Sequence, residues 1–239
     1  MKKSFQLKPV LLSMAVAGSV ALTATPAAVQ AGEISYNAAV SNMYLWRGIN
    51  ISNPSPVVSG GIDYDFGNGF AIGTWASSEG AFDGSSEWDV YGSYGVSLGD
   101  FGFSIGYAAY LYPYAGKDMT TFTSDGGTML GDWIVGLSYQ DLSFTAYIDA
   151  ETKDHGNNKY YTLDYSIGAF GLHAGYNTND SSSAEYTEFK VSYAATDNLS
   201  FAISKAQGDG AKAIVSGLTG GTGEEAENPQ LQVTYSFTF

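Results

Sequence analysis

The chain has 239 residues, no cysteine, and 24 acidic residues against ten basic, for a formal net charge of −14. That sign excludes a nucleic-acid backbone as partner, because phosphate binding needs clustered lysine and arginine, and the lack of cysteine fits an exported protein that does without disulfides. Eighteen tyrosines, 30 glycines and only six prolines describe a β-rich, turn-rich chain with few helices.

The N-terminus decides which residues belong to the mature protein. Lys2, Lys3 and Lys8 form a basic start, Val10 to Leu22 is apolar and small, and Val29-Gln30-Ala31 supplies the small residues that a signal peptidase needs. Residues 1–31 are therefore expected to be a cleaved signal peptide, with a single domain over 32–239. An apolar run of about 13 residues is too short to cross roughly 30 Å of hydrocarbon as a helix. Three of the ten basic residues precede Gly32 and all 24 acidic ones follow it, which leaves seven against 24, or −17.

From Gly32 onward the chain resolves into twelve segments whose alternate residues are apolar, the period of an extended strand with two different faces. The first carries Ile34, Tyr36, Ala38, Val40, Tyr44 and Trp46, a series interrupted by Asn42. The second and third follow with Val58 to Phe66 and Phe70 to Ala76, where Trp75 opposes the apolar face. Clearest are Trp88, Val90, Tyr94, Val96 and Leu98, then Phe101, Phe103, Ile105 and Tyr107. Trp133 to Tyr139, Leu142 to Ile148, Tyr161 to Ile167, Phe170 to Tyr176, Phe189 to Tyr193 and Leu199 to Ile203 continue the pattern. Leu231, Val233, Tyr235, Phe237 and Phe239 end it on a terminal phenylalanine, as outer-membrane barrels do.

Connections alternate in length. Gly67-Asn68-Gly69, Gly99-Asp100, Gln140-Asp141, Gly168-Ala169 and Ala195 to Asn198 read as hairpin turns. Gly48–Pro56, Ser78–Ser86, Tyr114–Gly127, Ala150–Asn158, Asn177–Ala184 and Gln207–Asn228 are longer and polar. Lipid cannot hydrogen-bond an open sheet edge, so a β protein crosses it only as a closed ring. Ten residues at about 3.3 Å each, tilted by about 40°, cover roughly 25 Å, the height of the apolar band in such barrels. The expected fold is all-β: an up-and-down antiparallel transmembrane barrel of twelve strands, short turns on the periplasmic side, long loops outside. Tyr44, Tyr64, Tyr107, Tyr139, Tyr176 and Tyr235 are expected in its aromatic girdles, and Lys205, on the lipid parity, snorkels to the interface.

The other face then encloses a lumen. Asp63, Asp65, Glu87, Asp89, Asp132, Asp149, Asp164 and Glu188 fall on it, against Arg47 and Lys190. Such a lining favours cations over anions in a narrow pathway for small solutes. Trp75, Tyr91, Tyr110 and Tyr147 also point inward and narrow it. The Gly-rich acidic segment Gly208–Glu227 either folds over the mouth or forms a disordered external loop. The same lipid face would serve a non-conducting structural or adhesive barrel whose long loops bind a partner.

The runs Ser41-Asn42-Met43-Tyr44-Leu45-Trp46-Arg47-Gly48-Ile49, Gly60-Gly61-Ile62-Asp63-Tyr64, Gly69 to Ser77 and Glu87-Trp88-Asp89-Val90-Tyr91-Gly92, with Gly106-Tyr107 and Tyr112-Pro113, resemble the TorF porin family of Gram-negative bacteria. The resemblance covers residues 35 to 113 and implies an outer-membrane porin in contact with lipid and lipopolysaccharide, its solute undefined. The family's Trp-Arg-Gly run makes Arg47, the only arginine of the chain, the first candidate for an ion pair in the lumen, structural rather than pore-constricting.

Enzymatic barrels make the competing class. A barrel lipase needs serine and histidine on its lipid face, whereas His173 falls on the inward parity and His155 in a long loop. A rim protease would have only His155 with Asp149 and Asp154. No metal cluster, nucleotide loop or other cofactor signature stands in the sequence, so neither catalysis nor a cofactor is expected.

Overall fold

The computed structural model describes residues 32–52, 55–78, 86–112, 129–150, 157–180 and 184–237. The expectations placed on residues 1–31, on His155 and Asp154, on Phe239 and on much of the long loops lie outside them.

Alternating residues become strands because only an extended chain collects them on one face. In chain order these are β1 (Glu33–Ser41), β2 (Leu45–Trp46), β3 (Ile49–Asn50), β4 (Val57–Asp65), β5 (Phe70–Ser77), β6 (Glu87–Leu98), β7 (Phe101–Leu111) and β8 (Met129–Tyr139). There follow β9 (Leu142–Asp149), β10 (Lys159–Ile167), β11 (Phe170–Thr178), β12 (Tyr186–Ala194), β13 (Leu199–Gln207), helix α1 (Asp209–Thr219) and β14 (Gln230–Phe237). All strands except β2 and β3 form one closed barrel of twelve, with β4 beside β1 and β1 closing on β14. Every pairing is antiparallel, and the closing seam runs from Ala38 opposite Phe237 to Ser41 opposite Thr234. A strand spacing of about 4.8 Å and a tilt of about 40° give a backbone radius of about 12 Å.

The outward face is apolar all the way round. Ile62, Ile72, Val90, Phe103, Leu137, Leu163, Leu172, Val191, Ile203 and Leu231 are each more than two-fifths exposed. Water would not tolerate so continuous an apolar surface. At the short-turn rim, Tyr64 meets Phe66, Phe70 meets Tyr94, Phe101 meets Tyr139, Phe170 meets Tyr193 and Tyr235 meets Phe237, with ring centroids 4.6–5.2 Å apart. This is the aromatic girdle expected at a membrane interface. Among the described residues no helix is long and apolar enough to cross a membrane.

The first segment departs from expectation. Its barrel strand ends at Ser41, and Tyr44 is not in a girdle but 3% exposed inside the barrel. Asn42 causes the turn. Its Nδ2 donates to the Leu231 carbonyl at 2.9 Å and its Oδ1 accepts from the Val233 N–H at 2.7 Å, so a side chain takes over the seam with β14 and frees the backbone to leave it. The chain then dives into the barrel as the hairpin β2–β3, and the Gly48 stretch expected in an external loop is part of that inward excursion. Segment 208–227 folds too: α1 and a 3-10 turn at Glu224–Glu227 pack Ala211, Val215 and Ala226 against Tyr44, Ile49, Ile51 and Tyr186.

Candidate functional site

The barrel interior is built in layers by strand register. Toward the short-turn end many inward positions are small. Gly95 pairs with Ser104 and Ser97 with Gly102, while Gly136, Ser138, Ser143, Gly171 and Ser192 continue round the ring. At the long-loop end the interior is filled by the hairpin. Arg47 and Gly48, with φ of 45° and 79°, make the two-residue turn between Trp46 and Ile49. A turn with both central residues at positive φ matches the twist of the strands it joins. Leu45, Ile49 and Ile51 are buried, Trp75 packs on Tyr44 with centroids 6.0 Å apart, and Gln232 Nε2 donates to the Met43 carbonyl at 3.2 Å.

Arg47 therefore enters the lumen from a hairpin and not, as its sequence position suggests, from the end of the first strand. Its Nη2 lies 2.7 Å from Asp132 Oδ2, and both side chains are less than a tenth exposed. Tyr110 donates to the same oxygen at 3.0 Å. The guanidinium lies 4.8 Å from the ring centres of Trp46 and Tyr160 and 5.7 Å from that of Tyr147. Arginine suits such a place because its flat, weakly hydrated cation both stacks and forms directed hydrogen bonds.

The remaining inward charges fall into two groups. On β10 to β12, His173 Nδ1 lies 2.6 Å from Asp164 Oδ1 and its Nε2 2.6 Å from Glu188 Oε1, and Tyr160 donates to that same Glu188 oxygen. Glu188 is buried and packs against Gly48, where a Cβ would meet its carboxylate. Lys190 is half-buried and pairs in register with His173 and Ser204. On β4 to β6, Glu87 accepts from Tyr44 Oη at 2.6 Å, and Asp89 beside it is buried. Half-buried Asp63 accepts from Tyr91 Oη at 2.6 Å and from Asn37 Nδ2 at 3.3 Å. Asp65 is buried and its Oδ1 accepts from the Gly67 N–H, which ties it to a turn. Asp149 is half-buried in register with Asp132. At the mouth, the Lys212 ammonium is held above its ordinary pKa by its hydrogen bond to Glu224, with Glu227 adding to the effect.

Over residues 24–237 the sequence matches the model of a family described as bacterial proteins of unknown function, Gcw_chp. The chain belongs to that family. No curated protein matches this Gcw_chp chain in sequence. Solved structures similar to it include a membrane protein from a study of in-meso crystallization, with TM-score 0.52, 9% identity, and coverage of 86% of this chain and 84% of that one. They include the KdgM porin, with TM-score 0.47, 13% identity, and 86% and 98% covered. Outer membrane phospholipase A from Escherichia coli also matches, with TM-score 0.43, 9% identity, and 87% and 98% covered. The first likeness is one of fold, and barrels of this kind host unrelated functions.

Side chains from distant strands met here in ways the segments did not foretell. Tyr160 and Trp46 carry no mark of a shared site in the sequence. Two signals were present: Asn42 breaking the alternation, and apolar Tyr44, Leu45, Ile49 and Ile51 bracketing a two-residue Arg-Gly turn inside a supposed polar loop.

Proposed function

We propose that this Gcw_chp protein is a porin-like channel of the bacterial outer membrane for passive diffusion of small solutes, narrowed at its outer half by the β2–β3 hairpin and preferring cations. The carrying observation is a closed ring with an apolar exterior around an interior lined by polar and charged side chains, with serine and glycine at many of the positions toward the short turns. The resemblance of residues 35 to 113 to TorF porins supports the reading, as does the signal-like start at 1–31 with its implied export. In this reading outer-membrane lipid and lipopolysaccharide surround the barrel. Cation preference rests on the balance of inward charge: Asp63, Asp65, Glu87, Asp89, Asp132, Asp149, Asp164 and Glu188 stand against Arg47, His173 and Lys190.

One observation favours a second reading, a non-conducting barrel: the hairpin and α1 share a buried cluster across the outer half. Planar-bilayer recording of the purified barrel under a salt gradient separates the two. A small conductance with a cation-selective reversal potential is expected, rising when residues 43–51 are replaced by a short Gly-Ser link. Anion selectivity would end the cation preference. Silence in both the native and the shortened protein would end the channel.

A further inference from the structure

One stretch of the lumen wall sets a carboxylate beside an aromatic face. Asp63, Gly73 and Tyr91 pair in a single row across β4, β5 and β6, all on the inward parity. A Cβ on Gly73 would come within 2.6 Å of two ring atoms of Tyr91 and of Asp63 Oδ1, so it is the glycine that lets the ring lie flat on the strand. The phenol reaches Asp63 Oδ1 along the wall at 2.6 Å, which leaves the other face of the half-buried ring turned to the lumen. Trp75, two residues farther from the short turn than Gly73, packs 6.0 Å from Tyr44 of the inward excursion and closes the upper edge of this patch. The patch therefore lies directly beneath the constriction.

Asp63 has no cation of the protein's own beside it among the described residues. Its Oδ1 accepts from Tyr91 and its Oδ2 from Asn37 Nδ2 at 3.3 Å, and both donors are neutral, so they orient the carboxylate without cancelling its charge. Strands β14, β1 and β4 to β8 contain no lysine, arginine or histidine. Arg47 and His173 are spent elsewhere, on Asp132 and on Asp164 and Glu188. A cation for this wall has to come from solution. An alkali ion gives up its water only to several oxygen ligands, whereas one carboxylate stands here and each of its oxygens already accepts a hydrogen bond. A methylated ammonium group is weakly hydrated, donates no hydrogen bond, and is attracted by an aromatic face as well as by the charge next to it.

We infer that Asp63 and Tyr91 form a docking site for quaternary ammonium groups on the lumen wall, so that the channel favours small methylated organic cations over alkali ions. The ring supplies the face, the carboxylate supplies the charge, and Gly73 holds the two in one plane of the wall. The inference rests on the channel reading above and adds a solute class to it.

Bi-ionic recordings on planar bilayers holding the full chain test it, with tetramethylammonium chloride on one side and sodium chloride on the other. The reversal potential is expected to show tetramethylammonium several-fold more permeant than sodium, although by size alone a narrow pore would hold it back. Conductance in tetramethylammonium chloride should also saturate at a lower concentration than in sodium chloride, a reading that needs no variant. Tyr91→Leu should bring the permeability ratio to one or below, while Tyr91→Phe, which keeps a ring over Gly73, should retain most of it. Asp63→Asn should lower it as well, together with the preference for sodium over chloride. A wild-type ratio at or below one overturns the inference, as does saturation no earlier than with sodium, and in either case sodium current leaves the channel reading standing. So does a ratio that Tyr91→Leu leaves unchanged, or one that the leucine and phenylalanine variants lose equally. Silence in both salts overturns both readings.

Discussion

Inward glycines let large side chains lie along the wall. Tyr91 crosses Gly73 to reach Asp63, and Tyr160 crosses Gly175 to reach Glu188, with the added Cβ at either glycine falling 2.4 Å from a tyrosine atom. Each pair binds three neighbouring strands through one phenol and keeps bulk away from the axis. Gly73→Ala should push Tyr91 off the wall and cost about 1–3 kcal/mol, as overpacking does. A fall in the urea midpoint of the barrel in lipid vesicles would show it, and a midpoint equal to wild type would mean that Tyr91 has another place to go. Gly92, whose added Cβ would meet nothing nearer than 3.7 Å, is the control position: Gly92→Ala should leave the midpoint near its wild-type value.

At the scale of elements, the hairpin is the part whose stability depends on one ion pair. Arg47 and Asp132 are both nearly fully buried, and removing one member of such a pair leaves the other charged and unmatched, at a cost of about 3–5 kcal/mol. Arg47→Ala should therefore loosen the hairpin, raise conductance and change heat-modified gel mobility. Adding Asp132→Asn should return much of the stability, since the stranded carboxylate is gone. If the single variant behaves as wild type, Arg47 does not hold the hairpin. The barrel strands were legible in the sequence because each is long enough to repeat its alternation four or more times, and their turns are marked by Gly, Asn and Asp. The hairpin was not, because two-residue strands offer no period to read. Tyr44 and Trp46 also continue the outward parity of the first segment, so the hints that the chain changes direction were the Asn42 interruption and the apolar residues bracketing Arg47-Gly48. Segment 208–227 was open to two readings for a related reason. Its glycine content suits a loop, whereas the burial of Ala211, Val215 and Ala226 against the hairpin is a tertiary effect that local composition does not contain. The acidic inward positions followed from parity alone, but parity gives the face of a residue and not its partner, which is why the pairing of His173 with two carboxylates had to come from three-dimensional contact.

For the whole molecule, the claim on which everything else stands is that one side of the ring meets hydrocarbon and the other does not. The four tryptophans report on it because they divide evenly. Trp88 and Trp133 are outward and about half exposed, while Trp46 and Trp75 pack against the interior cluster of Tyr44 and Ile49. A brominated acyl chain quenches an indole that it can touch, and a closed β wall of about 12 Å radius keeps lipid from the interior pair. In vesicles of brominated lipid, the variant with Trp46→Phe and Trp75→Phe, which keeps only the outward pair, should therefore lose most of its fluorescence. The variant with Trp88→Phe and Trp133→Phe should keep most of its own. Equal quenching in the two would mean that lipid reaches both faces or neither, and the polar lumen and the hairpin constriction would both lose their foundation.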